Sequence, residues 1–204
     1  MARDVQNYLG YSVGDMITLS DIQTQSAYNK TSVDFRIIEF REYVQPEGAF
    51  KYSAYIAEYK PDKESDPKQI MLMVMQVENE FELRVYTLSM EGTAEDMEPV
   101  LDPEEDDLLD RFEVTLNFDD SDDLPVTWDR QGNSAFGVEV FSSSSEDEEE
   151  PDCKTIAEYF TNDETNGNPH CFIEWTGDKD DGYIEIWYGC EIQPADVELF
   201  NVND

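Results

Sequence analysis

The chain is short of positive charge. Only 13 of its 204 residues are lysine or arginine, against 49 aspartate or glutamate residues, and the formal net charge is −36. A polyanion of this density repels nucleic acid and anionic membrane surfaces and attracts basic surfaces. Direct binding to nucleic acid or to a membrane is therefore not expected, and a basic protein surface is the favoured partner.

Cysteine and long apolar runs are also scarce. The three cysteines, Cys153, Cys171 and Cys190, are too few and too odd in number for a disulfide framework, which favours a reducing compartment. The longest apolar run, residues 70–75, is far shorter than the roughly 20 residues of a membrane-spanning helix. Residues 1–10 lack the basic and apolar regions of a signal peptide. The sequence therefore predicts a cytoplasmic protein, and one disulfide with a free thiol remains an alternative.

Sequence motifs for catalysis or cofactor binding are missing. The chain has one histidine and contains no GxSxG elbow, phosphate-binding loop or dinucleotide-binding glycine motif. Residues 178–185 resemble a calcium loop, but counting back from Gly182 places Gly177 at the first ligand position and Lys179 at the third. A hairpin turn is the better interpretation of that segment. We expect no cofactor, and loose divalent-ion binding to the acidic loops stays open.

A zinc site would need Cys153, His170, Cys171 and Cys190 to converge. These residues lack the close ligand pairs of structural zinc sites, and neighbours such as His170 and Cys171 project to opposite faces of a strand. We therefore expect no metal site. An enzyme that uses Cys171 or Cys190 as nucleophile and His170 as base is kept as an alternative, although nearby acids would suppress the thiolate.

The fold class predicted from the pattern of apolar residues is mainly β. Apolar and polar residues alternate in 15–19, 33–40, 50–59 and 81–88, and residues 70–77 form an apolar run buried on both faces. Residues 11–90 therefore predict an antiparallel meander of about five strands within an N-terminal lobe, 1–90.

An acidic connector, residues 91–123, follows this lobe. Arg111 is its only basic residue. Asp102 at an N-cap, Pro103 at the first helical position and acids in the first turn predict a short acidic helix. Residues 111–118 alternate as a strand, and residues 119–125 are expected to form a loop.

The C-terminal lobe, residues 124–204, is also predicted to be β-rich. Expected elements are a strand at 135–141, a mobile acidic loop at 142–152, a helical turn or strand at 154–160 and a final strand at 197–200. The clearest hairpin joins residues 171–175 to 183–188. The predicted architecture is one or two packed β-rich lobes built from antiparallel meanders.

Both ends of the chain resemble a family of uncharacterised bacterial β-rich domains. The similar segments are Val13-Gly14-Asp15-Met16-Ile17 at the start, and Phe172-Ile173-Glu174-Trp175 with Tyr188-Gly189-Cys190-Glu191-Ile192 near the end. The resemblance implies a β-rich fold in a bacterial or phage protein. It implies no activity, because that of the family is unknown, and the long acidic insertions of this chain depart from it.

The acidity itself is the strongest functional signal. Alternate residues on a strand lie roughly 6.6 Å apart, so regular carboxylates can approximate the spacing of phosphates on a nucleic-acid backbone. This favours a non-catalytic acidic binding protein, with a DNA mimic that inhibits a DNA-binding or DNA-modifying protein as its sharper form. An alternative is that the acidity serves only solubility or salt adaptation. The predicted partner-binding residues are Glu104, Glu105, Asp106, Asp107, Asp110, Asp119, Asp120, Asp122 and Asp123.

Overall fold

Twelve β-strands make up the described part of the chain. The structure, a computed structural model, describes residues 9–21, 24–25, 28–46, 51–59, 67–77, 80–93, 109, 111–115, 125–130, 136–143, 151–161, 169–177 and 182–200. The strands are β1 (Met16–Leu19), β2 (Val33–Val44), β3 (Lys51–Tyr59), β4 (Lys68–Val77), β5 (Glu80–Thr93), β6 (Arg111–Thr115), β7 (Pro125–Arg130), β8 (Phe136–Ser142), β9 (Asp152–Phe160), β10 (His170–Thr176), β11 (Tyr183–Ile192) and β12 (Val197–Phe200).

Eight of these strands close into an antiparallel barrel. Strands β2 to β5 pair in chain order, and β5 continues through β11, β10 and β9. Strand β8 then pairs with both β9 and β2, which completes the circle. The remaining strands extend the sheet beyond the barrel, with β1 and β12 beside β2 and with β7 and β6 beside β9.

The barrel interior is filled with side chains. An eight-stranded barrel is just wide enough for side chains to fill it, and here aromatic rings contact one another across the centre. The ring centroid of Phe172 lies 5.8 Å from that of Tyr43 and 5.9 Å from that of Tyr86. The buried apolar residues of this inner core are Tyr43, Ala54, Ile56, Met71, Met73, Met75, Tyr86, Val138, Val140, Ile156, Phe172 and Trp187.

Two further cores cover the outer wall of the barrel. One includes residues of β1 to β5 and β11, with Val197 and Leu199 of β12 packed against it. The other contains Phe112 of β6 and Trp128 of β7, which pack on residues of β9 to β11. Strand β4 is consequently buried on both faces from Ile70 to Met75, as its continuous apolar run predicts.

The predicted strands are largely confirmed. Strands β1 to β5 form the expected meander, and β10 and β11 form the expected hairpin, in which Cys171 pairs with Tyr188. Residues 154–160 belong to a strand, β9, rather than to a helical turn. Strand β7 was not predicted from the sequence. Strands from both predicted lobes lie in one sheet.

Parts of the acidic segments lie outside the described residues. These parts include the predicted helix that begins at Asp102. In the predicted loop 142–152, β8 extends to Ser142 and β9 starts at Asp152, while residues 144–150 are outside the described ranges.

The sheet ends in two short strands, β12 and β6. In β12 the Tyr11 hydroxyl donates a hydrogen bond to the Leu199 carbonyl oxygen, at 3.2 Å. The Val197 backbone N–H donates to the Pro194 carbonyl oxygen at the end of a 3-10 turn, Pro194–Asp196. The Ser20 N–H donates a hydrogen bond to the Asp196 carbonyl oxygen. In an antiparallel pair, every second residue bonds the neighbouring strand, so the backbone N–H and carbonyl groups of Val197 and Leu199 point away from β1.

A glycine in β11 permits the close approach of β5. A Cβ atom added at Gly189 would overlap the Val85 carbonyl oxygen and lie 2.7 Å from the Tyr86 Cα, whereas one added at Gly137 of β8 meets nothing within 4 Å. We predict that Gly189→Ala lowers the free energy of unfolding by about 3 kcal/mol or prevents folding, because the contacting atoms are backbone. Denaturant titration measures this change.

Gly137→Ala is the matched control. It adds the same methyl group to a strand and should leave stability within about 1 kcal/mol of the parent. Equal stability of the two variants would contradict the close packing of β5 on β11.

Candidate functional site

Charged side chains lie inside the barrel at both ends. One group, the Glu174 cluster, consists of Arg41, Lys154, Glu39, Glu174 and Glu185 with Tyr43 and Ser142. It lies where β8 and β10 end and β9 and β11 begin. The other group, the Arg84 cluster, consists of Arg84, Glu82, Glu158 and His170 with Tyr52 and Tyr86. It lies at the opposite end, where β9 ends and β5 and β10 begin.

Glu174 is the centre of its cluster, with only 1% of its side chain exposed. Its carboxylate accepts hydrogen bonds from Arg41 at 3.1 Å, from Lys154 at 2.8 Å and from the Tyr43 hydroxyl at 2.6 Å. Arg41 and Lys154 also reach Glu185, at 3.2 and 3.4 Å. Two cations thus bridge two carboxylates that face each other on β10 and β11.

The cations determine the protonation of this cluster. Burial alone would raise the pKa of Glu174, but the charges of Arg41 and Lys154 hold that pKa below its usual value. Burial and the Glu174 carboxylate raise the pKa of the Tyr43 hydroxyl. Glu174 is therefore ionised and Tyr43 is neutral at neutral pH, so the cluster is a paired, hydrogen-bonded network.

The Arg84 cluster is less completely paired. The Arg84 guanidinium bonds Glu82, with Nη2 at 2.6 Å, but its Nη1 lies 3.6 Å from Glu158 Oε2, which is too long for a hydrogen bond. Burial raises the pKa of Glu158, and the nearby Arg84 opposes that rise. The ion pair between Arg84 and Glu158 is therefore buried but has no direct hydrogen bond.

His170 belongs to the same end of the barrel. It pairs with Gly189 of β11, and its Nε2 lies 3.7 Å from Glu191 Oε1. Burial first, and the charge of Arg84 second, lower the pKa of His170 to about 4. The imidazole is consequently neutral at neutral pH, with one nitrogen as donor and the other as acceptor.

The cysteines do not form a reactive pair with this histidine. Cys171 is buried in the core under β6 and β7, and Cys190 is buried in the core that includes β1. Burial raises the pKa of the Cys171 thiol well above its usual value and that of Cys190 to about 12. His170 and Cys171, adjacent in β10, project to opposite faces as predicted. The described residues therefore give no support to the cysteine–histidine enzyme.

Metal binding has no support in the described part of the chain. No group of three or more histidine, cysteine, aspartate or glutamate residues there is arranged to hold a metal ion. Cys153 is exposed, whereas Cys171 and Cys190 are buried in different cores.

The nine predicted partner-binding residues lie outside the described ranges, in the segments on either side of β6. Residues 104–110 precede this strand and residues 119–123 follow it. Their role stays a prediction.

Sequence reasoning missed the charges inside the barrel. A usable signal exists, because basic residues are rare in this chain and several of them interrupt apolar strands: Arg41 follows Phe40, and Arg84 lies between Leu83 and Val85. A cation at such a position needs a buried acidic partner.

Comparisons with protein-family models, curated proteins and solved structures find no match to this chain. The resemblance to uncharacterised bacterial domains thus stays a prediction, and no function comes from a relative. In the described residues, no helix is both long and apolar enough to span a membrane.

Removal of the central carboxylate tests the Glu174 cluster. We predict that Glu174→Gln lowers the free energy of unfolding by about 3 kcal/mol, because it leaves buried cations without their main partner. Glu198→Gln makes the same change at an exposed position of β12 and should alter stability by less than about 0.5 kcal/mol. Chemical denaturation of both variants measures the difference, and similar values would contradict a structural role for Glu174.

The pH dependence of stability tests the burial of His170. Its pKa is lower in the folded protein than the unfolded value of about 6.5, so the unfolded chain binds more protons between pH 6.5 and about 4. The contribution of His170 to stability should therefore be lost as pH is lowered through this window, while the raised pKa of Glu158 opposes this trend in the overall curve. The Glu174 carboxylate, whose folded pKa is lowered, contributes stability above its unfolded pKa and loses it at still lower pH.

Urea titrations across this pH range measure the effect, with His170→Gln as the control. The variant should show a flatter dependence between pH 6.5 and 5. An unchanged slope in the variant would mean that His170 is not the group that titrates.

Proposed function

We propose that this protein is a non-catalytic acidic binding protein that presents its negative charge to a basic partner, and that its partner is a DNA-binding or DNA-modifying protein whose phosphate-binding surface it occupies. The observation that carries the proposal is the distribution of charge between the described residues, which include the barrel, and the other segments of the chain. The described residues include 19 of the 49 acidic and 9 of the 13 basic residues, a net charge of −10. The other segments hold 30 acidic and 4 basic residues, a net charge of −26.

Four basic residues of the barrel strands pair with glutamates within the molecule. Arg41, Arg84 and Lys154 do so inside the barrel, and Lys51 pairs with the buried Glu42. These four cations are thereby withdrawn from pairing with the acidic segments.

The two segments that carry the proposed contact residues flank β6. This strand is held against the barrel wall by Phe112, whose ring centroid lies 4.8 Å from that of Tyr159 and 6.4 Å from that of Trp128. Five strand residues span roughly 13 Å, so the acidic segments join a firmly packed strand at two nearby points. The proposed contact residues in these two segments are Glu104, Glu105, Asp106, Asp107, Asp110, Asp119, Asp120, Asp122 and Asp123.

Two variants with equal loss of charge test the proposal. The first replaces Glu104, Glu105, Asp106, Asp107 and Asp110 with Gln or Asn, and the second replaces residues 146–150 in the same way, so that each loses five negative charges. The immobilised parent protein captures basic proteins from host lysate at low salt, duplex DNA is used for elution, and the identified protein is purified for titration. We predict steep weakening of binding with salt and displacement by DNA.

The first variant should bind the purified partner at least tenfold more weakly, and the second should stay within about threefold of the parent, because a recognition surface is local whereas polyanion attraction is not. Recovery of no basic DNA-binding protein at low salt would refute the proposal. Equal losses of affinity in the two variants would mean that net charge attracts the partner and that no local surface recognises it. Stability that rises monotonically with salt, without a partner, would favour salt adaptation.

A further inference from the structure

Strand β6 forms one end of the sheet. Within the part of the chain that the structure describes, it has a neighbouring strand on one side only, where Phe112 pairs with Trp128 of β7 and Val114 pairs with Val126. The free edge of such a strand presents backbone N–H and carbonyl groups that can pair with an added strand. The edge of β6 is therefore a candidate surface for a partner.

The hydrogen-bond pattern of the barrel identifies which backbone groups of β6 point outward. The Ser143 N–H donates to the Phe40 carbonyl oxygen between β8 and β2, and successive residues of an antiparallel strand bond opposite neighbours. This alternation, followed through the registers of β8, β9 and β7, directs Phe112 and Val114 toward β7. The outward backbone groups of β6 therefore belong to Arg111, Glu113 and Thr115.

The two ends of the sheet differ in how these outward groups are used. At β12 the Leu199 carbonyl oxygen accepts a hydrogen bond from the Tyr11 hydroxyl, and the Val197 N–H donates to the Pro194 carbonyl oxygen. Among the described residues, no comparable bond reaches the outward backbone groups of β6. The edge of β12 is thus occupied in part from within the molecule, whereas that of β6 can accept a strand.

The chain that leads into β6 lies on the side of the core. The Tyr159 hydroxyl donates a hydrogen bond to the Leu109 carbonyl oxygen at 2.7 Å, and Leu109 packs against the same core as Phe112. Residue 109 is thereby held against β9 and does not lie along the free edge of β6.

Charge selects the kind of strand that fits this edge. Residues 101–110 contain six acidic residues and residues 116–124 contain four, and neither segment contains lysine or arginine. On β6 itself Arg111 lies 3.3 Å from Asp129 of β7, which offsets its charge, and Glu113 is exposed. A second copy of this chain would be repelled, whereas a cationic strand would be attracted. We infer that β6 accepts an extended segment rich in lysine or arginine as an added strand, an inference that rests on the proposed function and specifies how the basic partner is held.

Amide hydrogen exchange tests this inference with a probe peptide of alternating lysine and threonine. The peptide should slow exchange at Arg111, Glu113 and Thr115 by at least about tenfold, because an added strand bonds these amides. The amides of Phe112 and Val114 already bond β7 and should change by less than about twofold. A peptide of alternating lysine and proline carries the same charge but lacks half of the N–H groups, and it should give no such protection.

Two substitutions of one residue separate backbone pairing from charge. Glu113→Pro and Glu113→Gln both remove the carboxylate, but only proline also removes the outward N–H, and it does so without breaking a bond to β7. Glu113→Pro should bind the lysine–threonine peptide at least about fivefold more weakly than Glu113→Gln.

The inference is overturned if the lysine–threonine peptide protects none of the three outward amides or if the two peptides protect them equally. Protection of these amides in concentrated protein alone would assign the edge to a second copy and also overturn it. The comparison of peptides on the parent protein stands even where the proline variant fails to fold.

This inference and the proposed function can fail separately. A DNA-binding protein from lysate that binds Glu113→Pro as tightly as Glu113→Gln would refute strand addition and leave the proposed function intact. Amide protection by the lysine–threonine peptide, without recovery of such a protein, would support strand addition and count against the proposed class of partner.

Discussion

The pairing of charge inside the closed barrel is the constraint on which the rest of the structure depends. Arg41 and Glu174 are 133 residues apart in sequence, yet they are bonded at 3.1 Å. Since an unpaired charge in this interior would be strongly unfavourable, the ion pair favours the closed arrangement that brings β2 close to β10, although β8 and β9 lie between them in the sheet. Strands from both halves of the chain complete one circle.

The sequence predicts local structure well because alternation is a local property. The hairpin of β10 and β11 and the meander of β1 to β5 follow from alternating residues and turn chemistry. The continuous apolar run of β4 likewise indicates a strand buried on both faces, which is confirmed because its residues lie alternately in one outer core and in the inner core. In each case the residues that decide the structure lie within a few positions of one another.

Barrel closure and the charged clusters could not be predicted in the same way. The pairing of Arg41 with Ser142 joins β2 to β8 across a hundred residues, and no neighbouring residue indicates it. Glu174 lies in β10, where a polar residue would ordinarily indicate the face exposed to solvent. Here Glu174 is on the inner face of the barrel, and the outer face of β10 is covered by a second core, so neither face is open to solvent. Pro125 is the first residue of β7, a position where a strand tolerates proline. Because proline more often indicates a loop, residue 125 is predicted to belong to the loop 119–125, and β7 is not predicted.

The end of the sheet at β12 has a consequence for the behaviour of the protein in concentrated solution. An open strand edge invites pairing with another chain, and chains rich in aromatic strands are prone to aggregate through such edges. Barrel closure removes most strand edges. On the edge that β12 presents, the Tyr11 hydroxyl donates a hydrogen bond to the Leu199 carbonyl oxygen. A hydrogen bond of this kind does not depend on net charge, so the protection of this carbonyl group persists when high salt screens the charge repulsion between molecules.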